Sequence, residues 1–145
     1  MLPLPKVAPL SDRPEYRVLL EDYVVPMVSV ASGIQRISAG FVFNGASVPL
    51  PVQAFIYEPF DKEVLLAGLS HDAYYAEKEQ KQGARRIADR VFFWLLLDQG
   101  ADFYKARLMY RAVRMFGGAY WDIDSFVPSD DVWIPVSEED LEISV

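Results

Sequence analysis

The chain of 145 residues has no cysteine. That absence excludes a disulfide scaffold and a Cys-ligated zinc or iron–sulfur site. Long apolar runs are also missing: the longest is Val91–Leu97, seven residues, where a membrane-spanning helix needs about 20. Pro3, Pro5 and Pro9 interrupt the first ten residues, so no signal-peptide core and no transmembrane segment are expected. Lysine and arginine are absent after Arg114, and that same stretch holds Asp122, Asp124, Asp130, Asp131, Glu138, Glu139, Asp140 and Glu142. With those eight of 21 acids set aside, residues 1–114 carry 14 bases against 13 acids, or +1. The net charge of −7 therefore belongs to the C-terminal segment. A nucleic-acid binder is expected to show a net basic domain, so nucleic acid is not an expected partner. Disorder is excluded by what is present: 52% hydrophobic and 14% aromatic residues, enough for one sizeable core.

Residues 1–14 contain four prolines, which impose an extended arm. Tyr16–Leu20, Tyr23–Val25, Met27–Ala31 and Ile34–Phe43 are rich in Val, Ile, Tyr and Phe and are predicted strands. Ser32-Gly33 suits a hairpin turn, Asn44-Gly45 ends the last strand, and residues 46–60 form a Pro-punctuated connection. Three helices follow: about Lys62–Glu79 with Asp61 as N-cap, Ala84–Gln99 ended by Gly100, and a third capped by Asp102 and stopped at Gly117-Gly118. Tyr104, Leu108, Ala112 and Phe116 share one stripe of that third helix. With Tyr74, Trp94 and Tyr110, its aromatic residues are expected in the core. Strands followed by helices argue α+β: antiparallel N-terminal strands, then three helices. The expected organisation is an arm over 1–14, a single domain over 15–118 and an acidic C-terminal segment over 119–145.

The single histidine, His71, lies 18 residues before Asp89. If the first two helices form an antiparallel hairpin, positions equidistant from its turn face each other. The midpoint of 71 and 89 is residue 80, inside the polar run Glu77–Gly83. His71 and Asp89 are therefore expected at one level on adjacent helices, with Tyr75 on the face of His71. A carboxylate beside an imidazole fixes its tautomer and stabilises its protonated form, which suits a general base. Asp72 is directed to a neighbouring face, where a hard cation would find one carboxylate and the backbone carbonyls of the Asn44-Gly45 loop. The competing reading is a satisfied polar pair between packed helices, or a surface ion pair of Asp89 with Arg85 or Arg86.

The motif His71-Asp72-x-x-Tyr75, followed by Ala88-Asp89-x-x-Phe92, resembles the helix pair of phospholipase A2 enzymes. That resemblance implies His71 as base, Asp89 as its orienting carboxylate, Tyr75 as support for Asp89 and Asp72 as a calcium ligand, with calcium as cofactor. A longer series covers about residues 37–118: Ala39-Gly40-Phe41, Asn44-Gly45-Ala46-Ser47-Val48-Pro49, the two helix motifs, and Tyr110-x-Ala112-Val113-Arg114-x-Phe116-Gly117. It resembles a phage- and prophage-encoded family, domain of unknown function 1353. This second resemblance implies a bacteriophage origin and supplies no activity.

Two functions are therefore expected to compete. One is a virion or assembly component, resident in the particle or the host cytoplasm, that meets other phage structural proteins through its terminal arms. The other is a calcium-assisted, phospholipase A2-like hydrolase acting on the host envelope, for which Arg107, Arg111 and Arg114 form a basic stripe that could meet a lipid surface. The acidic C-terminal segment, with Val132-Trp133-Ile134-Pro135-Val136 in its middle, either folds over its own domain or docks on a partner.

Overall fold

A computed structural model describes residues 1–10, 15–26, 34–44, 57–58, 60–77 and 84–122; at 34, 84 and 119–122 it describes the backbone alone. The fold is α+β, with antiparallel N-terminal strands followed by helices. The strands are β1 (Val7–Pro9), β2 (Arg17–Leu19), β3 (Tyr23–Pro26), β4 (Ile34–Ile37) and β5 (Val42–Phe43). They build a three-stranded antiparallel sheet in the order β1-β2-β5 and a separate β3-β4 pair. Register is set by Val7 opposite Leu19, Val18 opposite Val42, and Val25 opposite Gln35. The helices are α1 (Leu65–Glu77), α2 (Ala84–Asp98) and α3 (Phe103–Asp122).

The N-terminal segment is extended, as its prolines dictate, but it lies against the body. Val7–Pro9 forms the edge strand on β2. Ahead of it, the Leu2 amide donates to Asp98 at 2.8 Å, Gln99 donates to the Leu2 carbonyl at 2.9 Å, and the Tyr23 hydroxyl donates to the Pro3 carbonyl. Proline at an edge costs no ladder hydrogen bond, which is why this sequence is tolerated there.

The predicted strand Ile34–Phe43 is two strands in two different sheets. Gly40 breaks it: its φ of +97° is a conformation that side-chain-bearing residues rarely adopt. The Gly40 amide donates to the Leu19 carbonyl at 2.7 Å, and Leu19 donates to Phe41 at 2.9 Å. The chain thus swings from β3-β4 onto β2, and brings Phe41 and Phe43 into the core. The predicted strand Met27–Ala31 and the Ser32-Gly33 turn lie outside the described residues.

Helix ends follow local chemistry. The Asp61 carboxylate accepts the Glu58 amide, while its backbone carbonyl receives the Val64 and Leu65 amides. Residues 62–64 are therefore turn, and α1 starts three residues later than predicted. Gly100, at φ +86°, closes α2 in a Schellman-type cap with Ala101 donating to the Leu96 carbonyl at 2.9 Å. Asp102 caps α3, its carboxylate accepting the Lys105 amide at 3.1 Å. The predicted stop at Gly117-Gly118 does not occur, and α3 runs on to Asp122. Neither glycine takes a positive φ; Gly117 serves packing rather than chain termination.

The core lies between the sheets and the helices. Leu19, Val25, Ile37, Phe41 and Phe43 meet Leu66, Leu69, Val91, Phe92, Leu95, Leu96, Met109 and Val113, all buried. On α3 the buried face is Ala106, Met109, Val113 and Gly117. The stripe expected inside is corrected: Tyr104, Leu108 and Phe116 are exposed, and only Ala112 of that set is buried. A period of 3.6 residues offers α3 two apolar faces, and local sequence alone does not say which one meets α2.

Candidate functional site

The site forms where α1, α2 and α3 meet. On α1, His71 and Tyr75 are one turn apart on the inward face; on α2, Arg85 and Asp89 repeat that spacing. The contacting pairs 71/89 and 75/85 share residue 80 as midpoint, the signature of an antiparallel pair. His71 Nε2 lies 2.7 Å from Asp89 Oδ1, and the Tyr75 hydroxyl donates to that same oxygen at 2.7 Å. From α3, Arg114 Nη1 donates to Asp89 Oδ2 at 2.6 Å. Arg85 Nε lies 3.9 Å from Asp89 Oδ2 and donates to the Tyr75 oxygen at 3.1 Å. Arg85 also clips α3, since its Nη2 donates to the Val113 and Arg114 carbonyls, each at 2.8 Å.

The imidazole and the carboxylate are both fully enclosed, at 0% exposure. Burial is the largest influence on Asp89 and would raise its pKa. The hydrogen bonds from His71, Tyr75 and Arg114, with the charge at His71, outweigh it and hold the carboxyl below its ordinary value. For Tyr75 burial comes first and the Asp89 charge second, and both push the phenol well above its ordinary range. An ionised carboxylate only accepts hydrogen bonds, so His71 presents Nε2–H to Asp89. Nδ1 is buried and has no hydrogen-bond partner among the described residues. The ring rests between Tyr75, 4.1 Å between centroids, and Phe92, 4.9 Å.

Gly117 completes the packing. A Cβ there would sit 2.6 Å from the Tyr75 oxygen and 3.2 Å from Arg85 Nη2. The absence of a side chain is what lets α3 approach the cluster. Below it, a second buried polar pair ties β4 to α1: Gln35 Nε2 donates to the Ser70 carbonyl at 3.0 Å, and the Ser70 hydroxyl donates to Gln35 Oε1.

His71, Asp89 and Tyr75 are thus brought together. Asp72 stands at the edge of the cluster, where its Oδ2 accepts the Asn44 amide at 3.2 Å. Asn44, just past β5, presents an N–H at that oxygen, where a carbonyl was expected beside a cation. No group of three His, Cys, Asp or Glu side chains suited to a metal ion occurs among the described residues. Gly45 lies outside those residues.

The spacing puts Arg114 on a basic surface stripe and Gly117 at a helix stop; the structure makes Arg114 the second support of Asp89 and Gly117 a packing position. The signal was the spacing Arg114-x-x-Gly117, one helical turn, which puts a long cation beside a position without a side chain. The surface pairing of Asp89 with Arg85 exists in altered form, at 3.9 Å and with a buried carboxylate.

The fold and this cluster define an α+β domain whose three helices are held by an enclosed His–Asp–Tyr–Arg network. A family described as protein of unknown function, DUF1353, matches residues 18–113, and the chain belongs to that family. Comparison with curated proteins and with solved structures found no match.

Proposed function

We propose that the chain is a bacteriophage protein, a virion or assembly component, in which the His71 cluster is an architectural lock. The single observation that supports the non-enzymatic half is enclosure. His71 and Asp89 have no exposed surface, and a general base must come within hydrogen-bond reach of the proton that it takes. Asp89 spends both oxygens on donors from α1 and α3, as a network that locks helices requires. The phage half rests on the ordered motifs from Ala39 to Gly117. With the N-terminal segment seated on its own body, the acidic C-terminal segment is the remaining arm for phage structural proteins. The virion and the host cytoplasm are the two places where such a chain would reside. Among the described residues no helix is long and apolar enough to cross a membrane.

One observation favours the hydrolase as a second reading: a buried Nδ1 without a partner, on a ring whose Nε2 is held by a carboxylate. A histidine with a purely architectural role usually satisfies both nitrogens. In that reading Nδ1 takes a proton from water, Asp89 orients the ring, and calcium at Asp72 with the Asn44-Gly45 loop is the expected cofactor. The two readings separate in one experiment. Wild type and His71→Ala are incubated with anionic phospholipid vesicles with and without calcium, and the same proteins are sought by mass spectrometry in purified particles of the phage. The assembly reading expects no hydrolysis by either protein and wild-type peptides in the particle. Calcium-dependent hydrolysis that His71→Ala abolishes would overturn it.

A further inference from the structure

The outward face of α3 repeats an apolar pattern opposite the buried one. Tyr104, Leu108 and Met115 follow i, i+4, i+11 with Arg111 at i+7 between them, the spacing by which one helix face meets a partner segment. Tyr104, Leu108 and Met115 are 77%, 53% and 76% exposed. A helix with one buried apolar face does not need a second, and contiguous exposed apolar surface marks an interaction site. Charge narrows the occupant. From Phe103 to Trp121 there is no acid, and the bases are Lys105, Arg107, Arg111 and Arg114. Arg114 is committed to Asp89, whereas no ion pair ties Lys105, Arg107 or Arg111 to a described residue. A second copy would set three such cations against three more across the face, a like-charge arrangement that costs affinity.

The complementary chemistry occurs in the same chain, directly beyond α3. After Asp122 come seven acids and no base, around the apolar group Val132-Trp133-Ile134-Pro135-Val136. Reach is ample. Tyr104 lies about 27 Å along the helix axis from Asp122, at ~1.5 Å per residue. The eleven residues from Asp122 to Trp133 can extend roughly 36 Å, at ~3.3 Å each. We infer that the Tyr104–Leu108–Met115 face, with Arg107 and Arg111 beside it, is the docking surface for the chain's own acidic C-terminal segment. Trp133 and its neighbours cover the apolar stripe, and the acids that flank them meet the arginines. Tethering makes the contact intramolecular, so a weak interface suffices to hold it. The inference does not rest on the virion reading, since a hydrolase would present the same face; a phage partner that takes the C-terminal segment does so in competition with α3.

Because the chain has no cysteine, an introduced pair is the only pair of thiols present. In the full-length protein, Leu108→Cys is combined with Ser137→Cys, and Glu21→Cys with Ser137→Cys serves as the control. Leu108 and Glu21 are exposed, so neither change disturbs the core. Disulfide closure is followed under mild oxidant at low micromolar protein and mapped by mass spectrometry. The 108–137 pair is expected to close within one chain at least tenfold faster than the control. Adding Arg107→Glu with Arg111→Glu, or raising salt, is expected to erase that advantage. Equal rates for the two pairs, or a 108–137 rate indifferent to charge reversal, would overturn the inference. A disulfide formed only between chains would overturn it in favour of a second copy. Sedimentation of the wild type with anionic vesicles, together with equal closure rates, would assign the face to lipid.

Discussion

Replacing Asp89 with Asn tests the network where its parts converge. The substitution keeps the shape and one carbonyl oxygen, so the bonds from His71 Nε2 and the Tyr75 hydroxyl can persist. It removes the charge and turns an NH2 toward Arg114, whose guanidinium then loses its 2.6 Å acceptor. A hydrogen bond to a charged partner contributes about 1.5–3 kcal/mol. Breaking a buried ion pair from one side costs about 3–5 kcal/mol, because the remaining charge is left without compensation. Arg114 is 30% exposed and recovers part of its hydration, while Asp89 has none to recover. The expected loss is therefore about 3 kcal/mol, or roughly 10 °C in Tm for a domain of this size. Urea unfolding checks the magnitude, and the pH dependence checks the cause. The folded carboxyl titrates below its ordinary value, so its contribution is present above the unfolded pKa of about 3.9 and is lost as pH falls through the lower folded value. Wild type should weaken from about pH 5 downward, and Asp89→Asn should flatten that slope. A loss under about 0.5 kcal/mol, or an unchanged acid limb, would refute the assignment of Asp89 as the ionised centre of the cluster.

Gly117→Ala should destabilise by up to about 2 kcal/mol in urea unfolding. The Cβ collides with the Tyr75 oxygen at 2.6 Å, and overpacking costs about 1–3 kcal/mol against about 1 kcal/mol gained in helix propensity; a net gain in stability would contradict the close approach. Tyr75→Phe removes the bridge between Asp89 and Arg85 and should cost about 1–3 kcal/mol. Because the folded phenol titrates above its ordinary value, its contribution is present below an unfolded pKa of about 10 and is lost as pH rises further. Alkaline spectrophotometric titration should lose a late-ionising tyrosine in the variant. Gln35→Met strands the buried Ser70 hydroxyl at a cost of about 1–3 kcal/mol. The double variant with Ser70→Ala should recover part of that loss, and a double-mutant cycle with zero coupling would refute the pair.

Much of the fold was legible because its signals are local. Gly100, Asp102 and the apolar run in α2 act within one or two turns of chain, and the α+β order follows from them. The His71–Asp89 pairing was legible for a simpler reason: an antiparallel hairpin relates residues symmetrically about its turn, so spacing alone predicts the contact. Other expectations failed where the deciding partner lies far along the chain. Ile34–Phe43 reads as one strand until Gly40, with its amide on the Leu19 carbonyl, sends the two halves into different sheets. The Tyr104 stripe and the Met109 stripe are both apolar, and only docking against α2 chose between them.

Residue order by itself determined which groups could share a helix face, where α2 ends and α3 begins, and that all imidazole chemistry belongs to His71. Tertiary structure alone decided that Arg114 crosses from α3 to Asp89, that Gly117 makes room for Tyr75, and that the imidazole is enclosed. Burial and long-range electrostatics are properties of how surfaces meet, and periodicity carries no information on which surface the neighbouring helix will cover.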